Sequence, residues 1–222
     1  MFGFVLSFLG AVTMLDAPSE GALSYDACIA AVEADASVGR DYAEKWDALG
    51  GGKAAKHCAA VAALAVGSPL SAGAMLVDLA KDELDPGAAA RLYLQGAEAF
   101  MDGAARAQAF KAVHDAYKVV PDAPDLHMAA ATIYATGEEW EGVVLALTAL
   151  SKHADLSADA YALRARAFFE QENYDAAASD VALALSMDPL LVDGLVLRGK
   201  LTEKGVVVPG RFMTTPETQV RP

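Results

Sequence analysis

Positive charge is scarce in this chain. Its 222 residues carry 17 Lys and Arg against 30 Asp and Glu, a formal net charge of −13. Nucleic-acid binding needs a basic face, so that class of partner is excluded. The acidity keeps an alanine-rich surface soluble, with a basic partner as the sharper alternative. The four histidines, at 57, 114, 127 and 153, show no metal-ligand spacing with one another. Proline is sparse too, at 9 residues, which leaves room for long helices. The one long apolar run, Phe2 to Leu15, covers about 14 residues, short of the roughly 20 that span a bilayer.

Enzyme chemistry is missing in the same way. His57 adjoins Cys58, but neighbours on a helix point about 100° apart and make a poor nucleophile–base pair. Gly50-Gly51-Gly52-Lys53 lacks the wider glycine spacing, the Ser/Thr after lysine and the preceding strand of a phosphate loop. It reads as a linker. The carboxylates of Glu138, Glu139 and Asp175 fall at breaks between helices, where helix capping accounts for them. No catalytic residue, cofactor or metal site is expected.

What the chain has is a period. Residues 90–123, shifted by 34, fall on 124–157 and then on 158–191. Tyr93, His127 and Tyr161 share a column, as do Ala97, Ala131 and Ala165, and Phe100, Tyr134 and Phe168. Further columns hold Ala109, Val143 and Ala177; Val113, Leu147 and Val181; and Ala116, Leu150 and Ala184. Pro121 and Pro189 close the outer units, with Asp155 in the middle one. A fixed period of this length marks a stacked repeat array. Apolar residues three and four apart on either side of a short polar break make each unit a pair of helices. In the third unit, Ala165 is small where the second helix crosses, and Asn173 or Asp175 caps that helix. His127 stands at an aromatic position and reads as packing.

These columns resemble the tetratricopeptide repeat (TPR). The pair Ala165/Phe168, the Asn173-Tyr174-Asp175 turn, Ala177, Ala184 and Asp188-Pro189 carry the likeness in the third unit, and Tyr93, Ala97, Phe100, Ala109, Ala116 and Pro121 in the first. The resemblance implies an all-α, right-handed solenoid of about five TPR or TPR-like helix pairs plus a C-terminal capping helix. The units are placed at residues 23–52, 53–87, 90–123, 124–157 and 158–191, the cap at 191–205, and a flexible tail at 206–222. The first two rest on aligning Cys28 with Cys58, with breaks assigned to Ser37-Val38-Gly39 and Gly67-Ser68-Pro69. Gly205 ends the cap.

Residues 1–22 resemble the hydrophobic part of a secretory signal, with cleavage after Ala17 or Ala22, although the first basic residue is Arg40. An uncleaved anchor and an apolar helix packed on the array are the alternatives. A periplasmic or secreted location is the leading expectation, with no stable membrane insertion after processing. Export makes a Cys28–Cys58 disulfide the favoured state, since neighbouring first helices pack side by side. Two small buried thiols are the other reading.

In TPR arrays the first helices line the concave face. The resemblance therefore implies a partner-binding groove made by Leu94, Gln95, Met128, Thr132, Leu163, Arg166, Leu197 and Lys200, with Glu98, Ala162 and Val196 beside them. The paired lysines and asparagines by which some TPR domains grip a carboxylate are absent. An apolar segment with an acidic residue near Arg166 and Lys200 fits better. The expected function is a non-enzymatic adaptor or scaffold for a protein or peptide partner in a bacterial cell envelope. Self-assembly into a homo-oligomer and an accessory subunit of an envelope enzyme are the alternatives.

Overall fold

A computed structural model describes residues 23–209. The signal-like segment 1–22 and residues 210–222 of the tail lie outside the described residues. Within them are eleven helices and no strand. They are α1 (Tyr25–Ala34), α2 (Ala36–Ala48), α3 (Gly52–Ala65), α4 (Pro69–Lys81), α5 (Pro86–Asp102), α6 (Arg106–Val119), α7 (Pro124–Thr136), α8 (Trp140–Leu150), α9 (Ala158–Glu170), α10 (Tyr174–Met187) and α11 (Val192–Glu203). Five helix pairs stack in chain order and α11 closes the stack against α9 and α10. None of these helices is long and apolar enough to cross a membrane.

Local chemistry sets the helix starts. Ser24, Asp35, Asp85, Ser157 and Asn173 each accept a backbone N–H with the side chain at the N-cap of α1, α2, α5, α9 and α10. Pro69, Pro86 and Pro124 open α4, α5 and α7, where their fixed φ suits the first turn. Glu139 holds the N-cap position of α8 without a side-chain bond, so hydrogen-bonded capping does not explain that carboxylate. The break between α1 and α2 is also not at Ser37–Gly39, which lie inside α2. Asp35 alone makes it, its carboxylate accepting from Ser37 N (2.8 Å) and Val38 N (3.3 Å). Gly39 serves packing instead: a Cβ there would sit 2.5 Å from Val32 Cα.

The repeat columns form the core. Ala97, Ala131, Ala165, Ala109, Val143, Ala177, Val113, Leu147 and Val181 are all fully buried. One buried ion pair joins the two helices of the last unit. Arg164 donates from Nε and Nη2 to the two oxygens of Asp180, at 2.7 and 2.9 Å, and Asp180 is 4% exposed. Geometry of this bidentate kind offsets part of the cost of burying charge. At the first pair, Cys28 and Cys58 are bonded, fastening α1 to α3 with their Cα atoms 6.3 Å apart. At the far end the tail does not leave the array at once. Val206 and Val208 pack against the cluster of Leu197 and Leu201, so these first residues of the expected flexible tail are part of the packed array.

Candidate functional site

The first helices α1, α3, α5, α7, α9 and α11 share one face. Along it α1 packs on α3, α5 on α7 and α9 on α11, with thin contact between α7 and α9 and between α3 and α5. Ala60 and Ala63 of α3 still share a buried cluster with Ala99 of α5. Three adjoining cavities of about 390, 320 and 220 Å³ line this stretch, the largest between α5 and α7 and the other two between α3 and α5. Gln95 borders all three.

Helical spacing explains the chemistry of this stretch. Arg91, Leu94, Gln95 and Glu98 recur three and four apart on α5, so they fall on one face. Leu94, Leu126 and Ala129 make the floor of the largest cavity, and Arg91 and Glu98 stand at its edge. A polar relay crosses from α1 to α5: the Tyr25 hydroxyl donates to His57 Nδ1 at 2.9 Å, and His57 Nε2–H donates to Gln95 Oε1 at 3.0 Å. Burial, helped by Asp26, pushes the Tyr25 hydroxyl above its ordinary value. Cys58, beside His57, is spent in the disulfide and offers no nucleophile.

Two carboxylates of the groove behave oppositely. Burial, and then the charge of Asp102, raises Glu98 above the ordinary carboxylate range. Its neutral form suits the fold, so this contribution is present at acidic pH and is lost as pH rises through the raised value. Glu83, by contrast, is held down to about 2 by a hydrogen bond from Lys53 at 2.9 Å and by the backbone N–H groups of Asp85 and Leu84. That ion pair ties the start of α3 to the turn before α5.

The expected groove residues do not form one surface. Leu94 and Gln95 border the cavities. On α7, Met128 is half-buried, and the Thr132 hydroxyl turns back to donate to Met128 O at 3.1 Å. Leu163 packs against the central core. Arg166 lies over the Trp140 ring (5.1 Å) and Lys200 over the Phe169 ring (5.7 Å). Leu197 is 4% exposed, sunk among Ala165, Ala177 and Leu201, so it is a core residue and not a groove residue. Arg91 and His57 were missed. Arg91 shares the α5 face of Leu94 and Gln95 that spacing identified, whereas His57 is on α3, where no groove face was read. The thin seam between α3 and α5 is a tertiary feature that no column records.

No protein-family model matches the sequence, and no curated protein matches it. Solved structures do. MamA of RS-1, in a double mutant, is 19% identical and superposes with a TM-score of 0.56, covering 66% of this chain and 80% of that one. PilF of Pseudomonas aeruginosa is 15% identical with a TM-score of 0.56, covering 80% and 82%. YrrB, described as a TPR protein with an unusual peptide-binding site, is 12% identical with a TM-score of 0.55, covering 79% of this chain and all of that one (100%). The fold is a helical-repeat solenoid of the tetratricopeptide type. This chain shares that fold with all three.

Proposed function

We infer that this chain is a protein–protein interaction module that holds an apolar peptide segment of a partner across α3, α5 and α7. The observation that carries this reading is the run of three cavities sharing Gln95. An apolar side chain fits the floor of Leu94, Leu126 and Ala129, and the Gln95 amide offers both a donor and an acceptor to the peptide backbone. Arg91 attracts an anionic group on one side of the segment. Glu98 with Asp102 attracts a cationic group on the other. YrrB, which shares the fold, carries a peptide-binding site, and extended binding faces are the usual product of stacked repeats. A buried disulfide suits an oxidising compartment, which supports placement in a bacterial cell envelope. Five apolar side chains at the C-terminal end favour self-association as the second reading: Leu183, Met187, Leu190, Val192 and Val196 are 45–80% exposed.

The test is a partner capture by cross-linking in the native host, followed by titration of the partner peptide against Gln95→Trp. The indole fills the shared space from an exposed helical position, so helicity is preserved and affinity drops at least tenfold. Arg166→Glu, outside the cavities, has a smaller effect. Undiminished binding by Gln95→Trp discards the groove, and a concentration-dependent dimer by light scattering with no captured partner promotes self-association.

A further inference from the structure

Three donors meet at the inter-repeat turns on either side of the fourth helix pair. Asp122 lies in the turn before α7, His127 on α7 and His153 in the turn after α8. Both imidazole Nε2 atoms approach Asp122 Oδ1, His153 at 2.7 Å and His127 at 3.4 Å. One ligand atom from each residue lies within 4.8 Å of the other two. The His127 and His153 ring centres are 5.9 Å apart.

Nothing in the repeat architecture requires these side chains. At the equivalent positions, 34 residues before and after, the chain has Tyr93 and Tyr161 for His127, Val119 and Met187 for His153, and Ala88 and Leu156 for Asp122. Three separate departures from the repeat pattern, each toward a metal-ligating side chain, coincide in space. The surroundings add a fourth feature. His127 is 2% exposed and its Nδ1 lies 3.1 Å from the Tyr117 hydroxyl. A hydroxyl both donates and accepts, so Tyr117 serves His127 whether Nε2 carries a proton toward Asp122 or turns its lone pair to an ion. Partners of this kind fix the orientation and tautomer of metal-bound histidines.

We propose that Asp122, His127 and His153 bind a divalent transition-metal ion, zinc in the first place. Ligand bonds of about 2.0–2.2 Å place neighbouring donors of a tetrahedral ion about 3.3 Å apart, inside the range of spacings observed. Two imidazoles and one carboxylate suit zinc and its neighbours in the first row, whereas calcium and magnesium take oxygen sets. The fourth position faces outward past Asp122, whose side chain is 68% exposed. It is open to water or to a donor from a bound protein. Held this way, the ion fastens the turn before α7 to the turn after α8 and stiffens the middle of the array.

The experiment is calorimetric titration of the tag-free full chain, stripped with chelator, with zinc chloride, alongside cobalt(II) chloride followed by visible absorption. One zinc per chain binds, cobalt develops the intense bands of a low-coordinate site, and zinc raises the melting temperature. Asp122→Asn and His153→Ala each weaken binding at least tenfold. His127→Phe, which keeps an aromatic in the column and hence the fold, abolishes the cobalt bands. Tyr117→Phe weakens zinc by roughly tenfold, as loss of an outer partner does. Absence of saturable uptake by the wild type overturns the proposal. So does uptake that persists unchanged in an Asp122→Asn/His153→Ala double variant with native circular dichroism.

Discussion

Helices α1–α4 and helices α5–α10 stack in the same way but hold together by different means. In the first region a small cluster of Cys28, Val32, Ala43, Cys58 and Ala62 joins α1, α2 and α3, and a covalent bond crosses it. Through the second, a long cluster begins at Ala80 on α4 and runs to Ala167 on α9, with Leu126, Ile133, Leu147 and Leu156 inside it. A separate cluster of Ala165, Ala177, Val181, Leu197 and Leu201 joins α9, α10 and α11. Side-chain burial scales with apolar area, at about 25 cal/mol per Å². Alanines and cysteines supply little of it. Where the columns are filled by Val, Leu and aromatic rings, packing alone sustains the pair, and where they are not, a cross-link stands in. The period of 34 is regular in the region that packs well and lost in the region that is tied.

The heaviest blow to that contrast falls in the second region. Leu147 is fully buried at the middle of its column, between Val113 and Val181 of the neighbouring units. Leu147→Ala is expected to lower stability by about 4 kcal/mol, combining lost transfer energy with a cavity. Because each unit contacts its neighbours, the loss spreads to α5–α10 and shows in hydrogen exchange across them. Next in size is removal of the disulfide with Cys28→Ser/Cys58→Ser. Closing a loop of sequence separation 30 stabilises by about 3.6 kcal/mol through the unfolded chain. Exchange should accelerate in α1–α4 and stay protected in α7–α10. Uniform acceleration over the whole array would break the comparison, since it would mean that the covalent tie supports both regions alike.

How much of this could be read from the sequence differs between the regions for the same reason. Columns of like residues at a fixed shift report burial directly. Each residue of the small column Ala97, Ala131, Ala165 is fully buried, and Asn173 caps α10 through Ala176 N. The Cys28–Cys58 bond was favoured on the expectation of export together with the placing of each cysteine on a first helix, with two free thiols as the other reading, and the structure has the bond. In α1–α4 the columns fade, and glycine was misread there: Gly39 looked like a break, yet it lets α2 pass over Val32. Contacts that join one unit to the next were hidden altogether. His127 and His153 are too far apart in sequence for any local ligand spacing, and only the stacking of two turns brings them to Asp122. Arg164 and Asp180 escaped likewise, because a buried ion pair leaves no periodic trace. Within the groove, spacing found Leu94 and Gln95, but it placed Leu197 on the face where packing sinks it into the core.

The smallest effect distinguishes the regions at their turns. In the α5–α6 turn Ala104 has φ 57, and the same conformation recurs at Glu138 (58) and Glu172 (61), each 34 residues on. The hydrogen bonds repeat as well: Ala105 N–H donates to Phe100 O, Glu139 N–H to Tyr134 O and Asn173 N–H to Phe168 O. The α3–α4 turn makes this closure with Gly67 at φ 77 and Ser68 N–H donating to Ala63 O. So the regular repeats place ordinary residues where the irregular region has glycine. Gly103 and Gly137, one residue earlier, do not relieve this; they leave room for Leu70 and the Phe110 ring. A left-handed L-residue costs roughly 1–2 kcal/mol, and introducing glycine returns about 0.4–1 kcal/mol of unfolded-state freedom. Strain wins narrowly. Ala104→Gly, Glu138→Gly and Glu172→Gly should therefore each raise stability by about 0.5–1 kcal/mol, read as a higher urea midpoint at unchanged slope. Gly67→Ala, with open space around the new methyl, should lose about as much. If the three glycine variants unfold at lower urea than the parent, the turns of α5–α10 are held by their side chains rather than tolerated by the backbone, and the two regions differ there by more than composition.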